Sequence, residues 1–144
     1  MSGDAPLVGT WELLAWYNET ADGRRIYPLG DRATGYISYS SDGFVFVHLS
    51  AAGRRLYTVN DPFGGTPEED AAAMKSQITY AGRYRYNIGH VIHMVTQASC
   101  PNWVGTEQRR RVEFRGKELR LSANGALFQG EKVTAIVDWR RAVR

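Results

Sequence analysis

The chain reads as an all-β, antiparallel domain with one short helix, either a sandwich or a barrel. Three observations predict this. Short apolar stretches with period-2 alternation recur along the whole length. Turn residues punctuate them at Asp22-Gly23, Ser41-Asp42-Gly43, Arg115-Gly116 and Asn124-Gly125. One segment breaks the pattern: Thr66-Pro67-Glu68-Glu69 followed by Ala71, Ala72, Ala73, Met74 and Lys75 has an N-cap, a proline suited to the first helical position, a capping box and strong helix formers.

Taken in order, the first strand is expected over residues 7–17. Trp11, Leu13, Ala15 and Tyr17 share one face, and Glu12, Leu14 and Trp16 the other. Residues 35–40 and 44–50 form a hairpin around Ser41-Asp42-Gly43. Gly53 interrupts the chain before a further strand at 56–59. The helix runs from Pro67 to about Ile78. Strands resume at 80–87 and 90–97, a Pro101-Asn102-Trp103 turn follows, and strands at 108–114, 117–123 and 132–141 complete the set. The tally is eight to ten strands.

Composition narrows the function classes. A chain of 144 residues supplies one domain with a full core, and its 43% hydrophobic content is ordinary for a globular protein. A net charge of +3 is too weak for nucleic acid as the main partner. No apolar run reaches the roughly 20 residues of a membrane helix, and the start lacks a basic-then-apolar leader, so neither membrane association nor secretion is expected. The lone Cys100 excludes an intrachain disulfide and suits a cytoplasmic setting, and a structural or incidental thiol is its preferred reading. His48, His90 and His93 have no metal-ligand spacing, so no metal and no cofactor is expected.

Two residues stand out chemically. Within Arg109-Arg110-Arg111, alternation places Arg110 on the face of Val112 and Phe114, pointing inward, while Arg109 and Arg111 point out. An inward guanidinium needs a partner: an internal carboxylate (Glu12, Glu107 or Asp138), or the carboxylate, enolate or carbonyl oxygen of a ligand. His93 lies in Val91-Ile92-His93-Met94-Val95, where both faces are apolar and periodicity leaves its direction open. It suits a core histidine bonded to a tyrosine or carbonyl, or a ligand donor or general base. Tyr80, Gly82, Tyr84 and Tyr86 share a face. That face, with Tyr39 nearby, is either ordinary half-buried β-surface or the wall of a pocket. Trp103 anchors its turn or lies over a barrel mouth. Leu14 and Trp16, outward by alternation, form an apolar patch consistent with a homodimer.

The motifs also carry a resemblance. Gly9-Thr10-Trp11, Pro28-Leu29-Gly30, Gly35-Tyr36-Ile37-Ser38-Tyr39 before Asp42-Gly43, Gly65-Thr66-Pro67-Glu68-Glu69, Tyr80-Ala81-Gly82-Arg83-Tyr84, His93 ahead of PNWVGTEQ, and Trp139-Arg140-Arg141 fall in the order seen in the small lipocalin-like domains of bacteria and fungi. The resemblance covers nearly the whole chain. It implies a closed calycin-type barrel, with His93 directed to the interior. It also implies a structural pair at the closed end, Trp11 beneath Arg141, which puts the ligand entrance at the opposite end. The expected function is binding of a small, mostly hydrophobic molecule with a polar or anionic group, held by His93, Arg110, Tyr80, Tyr84, Tyr39 and Trp103. The alternative is a cyclase or isomerase working in the same cavity, with His93, Arg110 and Tyr84 as candidate catalytic residues.

Overall fold

The computed structural model describes residues 6–143. Residues 1–5 of the segment read for a leader lie outside it. Strands β1 (Gly9–Thr20), β3 (Thr34–Tyr39), β4 (Phe44–Ser50), β5 (Gln77–Asn87), β6 (His90–Ala98), β7 (Glu107–Arg115), β8 (Glu118–Phe128) and β9 (Glu131–Arg141) follow one another around a closed antiparallel barrel. The ladder between β9 and β1 closes it, from Trp11↔Arg141 to Thr20↔Val133. A two-residue strand, β2 (Arg25–Ile26), pairs with β1 at Asn18 and Glu19, on the edge that β3 leaves free beyond Glu12. Closure leaves no long sheet edge exposed. Among the described residues no helix is long and apolar enough to cross a membrane.

Alternation decides what each strand buries. Ile37 and Tyr39, then Val45, Val47 and Leu49, then Val91, His93 and Val95 point inward. At one end Trp11, Leu13, Leu119 and Trp139 belong to the buried core. There the Arg141 guanidinium lies 3.8 Å from the centre of the Trp11 ring and donates to the carbonyls of Val8 (2.7 Å) and Pro6 (2.8 Å), while the indole N–H donates to Leu7 O at 2.9 Å. The pair expected from the resemblance is therefore in place. Gly9 has φ +123, and a Cβ there would stand 2.7 Å from the arginine, so the glycine of the GTW motif makes room for it.

Three expectations need correction. Leu13 pairs with Trp139 but Ala15 pairs with Asp138, so Leu14 is a bulge residue and every later side chain of β1 changes face. Trp16 and Asn18 point into the barrel. Tyr17 points outward and is covered by Arg25, by Tyr27 and by Arg120, whose Nη2 reaches its hydroxyl at 3.4 Å. The Leu14–Trp16 patch that argued for a homodimer is thereby dissolved. Residues 56–59 form no strand. Their backbone and side chains are tied instead to the helix, through Tyr57 Oη to Asp70 (2.8 Å) and Thr58 N–H to Glu69 (2.8 Å). Finally, Asn124-Gly125 is an irregularity within β8, not the β8–β9 turn. The turn is Gln129-Gly130, both with positive φ (51° and 82°), as a tight two-residue hairpin loop requires.

Helix α1 (Pro67–Lys75) starts as predicted: Thr66 Oγ1 accepts from Glu69 N–H, and the Glu69 carboxylate accepts from Thr66 N–H at 3.0 Å. It stops three residues earlier than expected because Gln77 and Ile78 are taken by the ladder to Ser50 and Leu49.

Candidate functional site

The barrel contains a cavity of ≈ 480 Å³. Its position follows from the asymmetry of the core. Trp139, Leu121 and Ile37 line it toward the Trp11 end, while the far ends of β4, β8 and β9 and the last residues of α1 frame the other end. Most of the wall is apolar, contributed by Trp16, Leu29, Val47, Leu49, Leu121, Val133 and Val137. The polar side chains on it include Asn18, Tyr80, Gln108 and Arg110, and Trp103 and Met74 stand with them.

Arg110 reaches the wall because β7 alternates as read: Gln108, Arg110 and Val112 face inward. None of the three carboxylates expected as partners meets it. Glu12 pairs with Arg140 (3.5 Å), Glu107 with Arg85 (3.9 Å) and Asp138 with Arg120 (2.8 Å). Among the described residues the Arg110 guanidinium bonds neutral acceptors, Gln108 Oε1 at 2.8 Å and the Arg109 carbonyl at 3.3 Å. Among the described residues no ion pair neutralises it. A cation left uncompensated beside an apolar space is poised to meet an anionic or strongly polarised oxygen.

His93 lies one layer deeper. The imidazole is 1% exposed and both nitrogens are engaged, Nε2 with Tyr39 Oη and Nδ1 with Tyr80 Oη, each at 2.7 Å. Burial, aided by the positive charge of Arg110, pulls its pKa down to about 3, so the ring is neutral at physiological pH. Burial also pushes the Tyr80 phenol up to about 12, against the pull of Arg110, and holds Tyr39 well above its ordinary range. Tyr84 packs edge-on against Tyr39 with ring centres 4.8 Å apart and donates to Ser40 O at 2.8 Å. Of the six side chains expected to line a pocket, Arg110, Tyr80 and Trp103 stand on the cavity wall. His93, Tyr39 and Tyr84 do not reach the wall and lie behind it, with His93 joined to it through its bond to Tyr80. Trp103, on the single 3₁₀ turn Pro101–Trp103, meets Tyr80 edge-on at 5.8 Å between ring centres.

Sequence reasoning missed Trp16, Asn18 and Gln108. The bulge hid the first two. Gln108 was legible in the same alternation that placed Arg110. Cys100 is a free thiol away from the cavity wall, and His93, bonded to two tyrosines, is not its partner. No group of three His, Cys, Asp or Glu side chains among the described residues is arranged to hold a metal ion.

Comparison with known proteins adds three findings. The chain is 35% identical over 89 residues to the 4′-hydroxy-3′-methoxypropiophenone carrier protein of Aspergillus oryzae, a match spanning 56% of this chain and 80% of that one. A crystal structure of a variant of the fluorescent protein UnaG superposes with a TM-score of 0.42 at 15% identity, covering 95% of this chain and 96% of that chain. The family model of the lipocalin-like domain matches residues 8–142, and the chain belongs to that family.

Proposed function

We propose that this protein is a carrier for a small aromatic molecule bearing a carbonyl or phenolic oxygen, held inside the barrel. The observation that carries the reading is the uncompensated Arg110, set with Gln108 and Tyr80 in a mostly apolar wall. A cavity of ≈ 480 Å³ falls within the roughly 300–1,000 Å³ typical of small-molecule sites. The relative named for carrying an aromatic ketone supports the same ligand class. In this reading the apolar wall takes the ring, and Arg110, Tyr80 and Gln108 fix its oxygen. Trp103 and Met74 stand over the ligand near the entrance. A cyclase or isomerase is the weaker reading. The histidine that would move a proton has both nitrogens occupied and is held neutral.

Titration with 4′-hydroxy-3′-methoxypropiophenone tests the reading. Trp16, Trp103 and Trp139, three of the four tryptophans, line the cavity, so binding should change the intrinsic fluorescence. Calorimetry should show one site, and mass spectrometry should recover the ligand unchanged. Arg110→Met should weaken binding roughly ten- to a hundredfold, the range expected for a bond to a charged group. Unaltered affinity in a folded Arg110→Met protein would remove the arginine from the site, and no binding by the unmutated protein would remove the function.

A further inference from the structure

The three-ring chain behind the wall has a direction. A neutral imidazole carries one N–H and one lone pair, so of the two tyrosines bonded to His93 one must donate and the other must accept. The tyrosine that accepts keeps its own proton for a different partner. Tyr39 is 1% exposed, and His93 is the one hydrogen-bond partner of its hydroxyl among the described residues. If Tyr39 were the acceptor, its O–H would be stranded in the core and suffer the full desolvation penalty of an unpaired hydroxyl. Tyr80 has an outlet, since its side chain stands on the cavity wall. The arrangement without an orphan is therefore Tyr39 O–H to Nε2, Nδ1–H to Tyr80 Oη, and Tyr80 O–H toward the cavity.

From this geometry we infer that Tyr80 presents its hydroxyl proton to the ligand, with Tyr39 and His93 as positioning residues, and that the ligand supplies a proton-free acceptor, a carbonyl or phenolate oxygen, on the side of the cavity shared with Arg110. The inference rests on the cavity being the aromatic-ligand site. It adds to that reading a donor, a tautomer and a requirement on the ligand. Arg110 and Tyr80 then act as two donors on one oxygen, a pairing that favours a carbonyl or phenolate acceptor. His93 does no proton transfer in this role. It holds the Tyr80 oxygen by donating to it, and accepting that bond makes Tyr80 a better donor onward.

Two measurements test the inference separately. Long-range ¹H–¹⁵N spectra of the ligand-free protein at neutral pH report which nitrogen of His93 holds the proton. The expected result is Nδ1–H, and Nε2–H overturns the inference. The second measurement compares propiophenone, whose single acceptor is its carbonyl, with propylbenzene, which has none. In Tyr80→Phe the preference for the ketone should fall by roughly three- to tenfold relative to the unmutated protein, as expected for one lost hydrogen bond. An unchanged preference in a folded Tyr80→Phe protein also overturns it. If neither compound binds the unmutated protein, the aromatic-ligand reading fails, and the tautomer decides the direction of the chain by itself.

Discussion

At Trp11 and His93 the same problem, a large polar-tipped ring inside a barrel, is solved in two ways. The indole N–H of Trp11 finds a backbone carbonyl, and its face is covered by a cation whose own protons go to two further carbonyls. Removing the ring leaves a large void and an unsupported guanidinium, so Trp11→Ala should lower the unfolding free energy by roughly 3–5 kcal/mol in denaturant titrations. His93 is satisfied by two phenols instead, and its environment favours the neutral form. Its pKa falls from 6.5 in an ordinary setting to about 3 in the fold, so on acidification the unfolded chain takes up the proton first. Its contribution to stability is complete above pH 6.5 and is lost as pH drops from there toward 3, with a slope approaching about 1.4 kcal/mol per pH unit. His93→Gln keeps hydrogen-bonding capacity without titrating. It should flatten the decline between pH 6.5 and 5, where ordinary carboxylates remain ionised, and equal slopes for the two proteins would count against the assignment.

Among the elements, β8 and β9 supply the most wall residues, and β1 and α1 add to them in ways the sequence alone does not show. The Leu14 bulge re-aims Trp16 and Asn18 and brings both onto the wall. α1 contributes Met74 and Lys75 at the entrance and is held by its capping box and by residues 57 and 58. Glu69 serves both, accepting from Thr66 N–H and Thr58 N–H, and these bonds hold its carboxyl below the usual range. Thr66→Ala removes one half of the box and should cost about 1 kcal/mol, read as a lowered melting temperature. The packing at Gly65 is tight, since a Cβ there would lie 2.1 Å from the Tyr57 ring. Gly65→Ala is expected to separate the loop from the helix and raise hydrogen exchange in residues 57–70, while β6 and β7 keep their protection. Protection unchanged across that segment would show that the loop yields without letting go of α1.

For the whole molecule, barrel closure makes the two ends unequal. One is filled by Trp11, Leu13, Leu119 and Trp139, and the other holds an open space. Ligand bound there adds stability by mass action alone: about 2.7 kcal/mol at a free concentration one hundred times Kd. A melting temperature that climbs with ligand concentration is therefore expected, and the climb should vanish in Leu121→Trp, which fills the cavity from a position 2% exposed on its wall. A rise of equal size in that variant would place the ligand elsewhere on the molecule.

The strands, the helix start and the inward direction of Arg110 were legible in the chain because each depends on local rules: alternation, turn residues and capping. The Trp11–Arg141 pair came from the motif order and not from any periodicity. The direction of His93 could not be read locally, since Ile92 and Met94 are as apolar as Val91 and Val95. Only the ladder, which sets His93 opposite Tyr84 and Gln108, turns it inward. Trp16 was misread because a bulge is a property of the β1–β9 pairing and leaves alternation within β1 looking regular up to Leu13. Residues 56–59 have the side chains of a strand, yet find no partner strand and bond to α1 instead. The fate of Arg110 was equally beyond the sequence. Glu12, Glu107 and Asp138 are all present, and the register of the closed barrel gives each of them to another arginine, leaving Arg110 on the cavity wall without a carboxylate among the described residues.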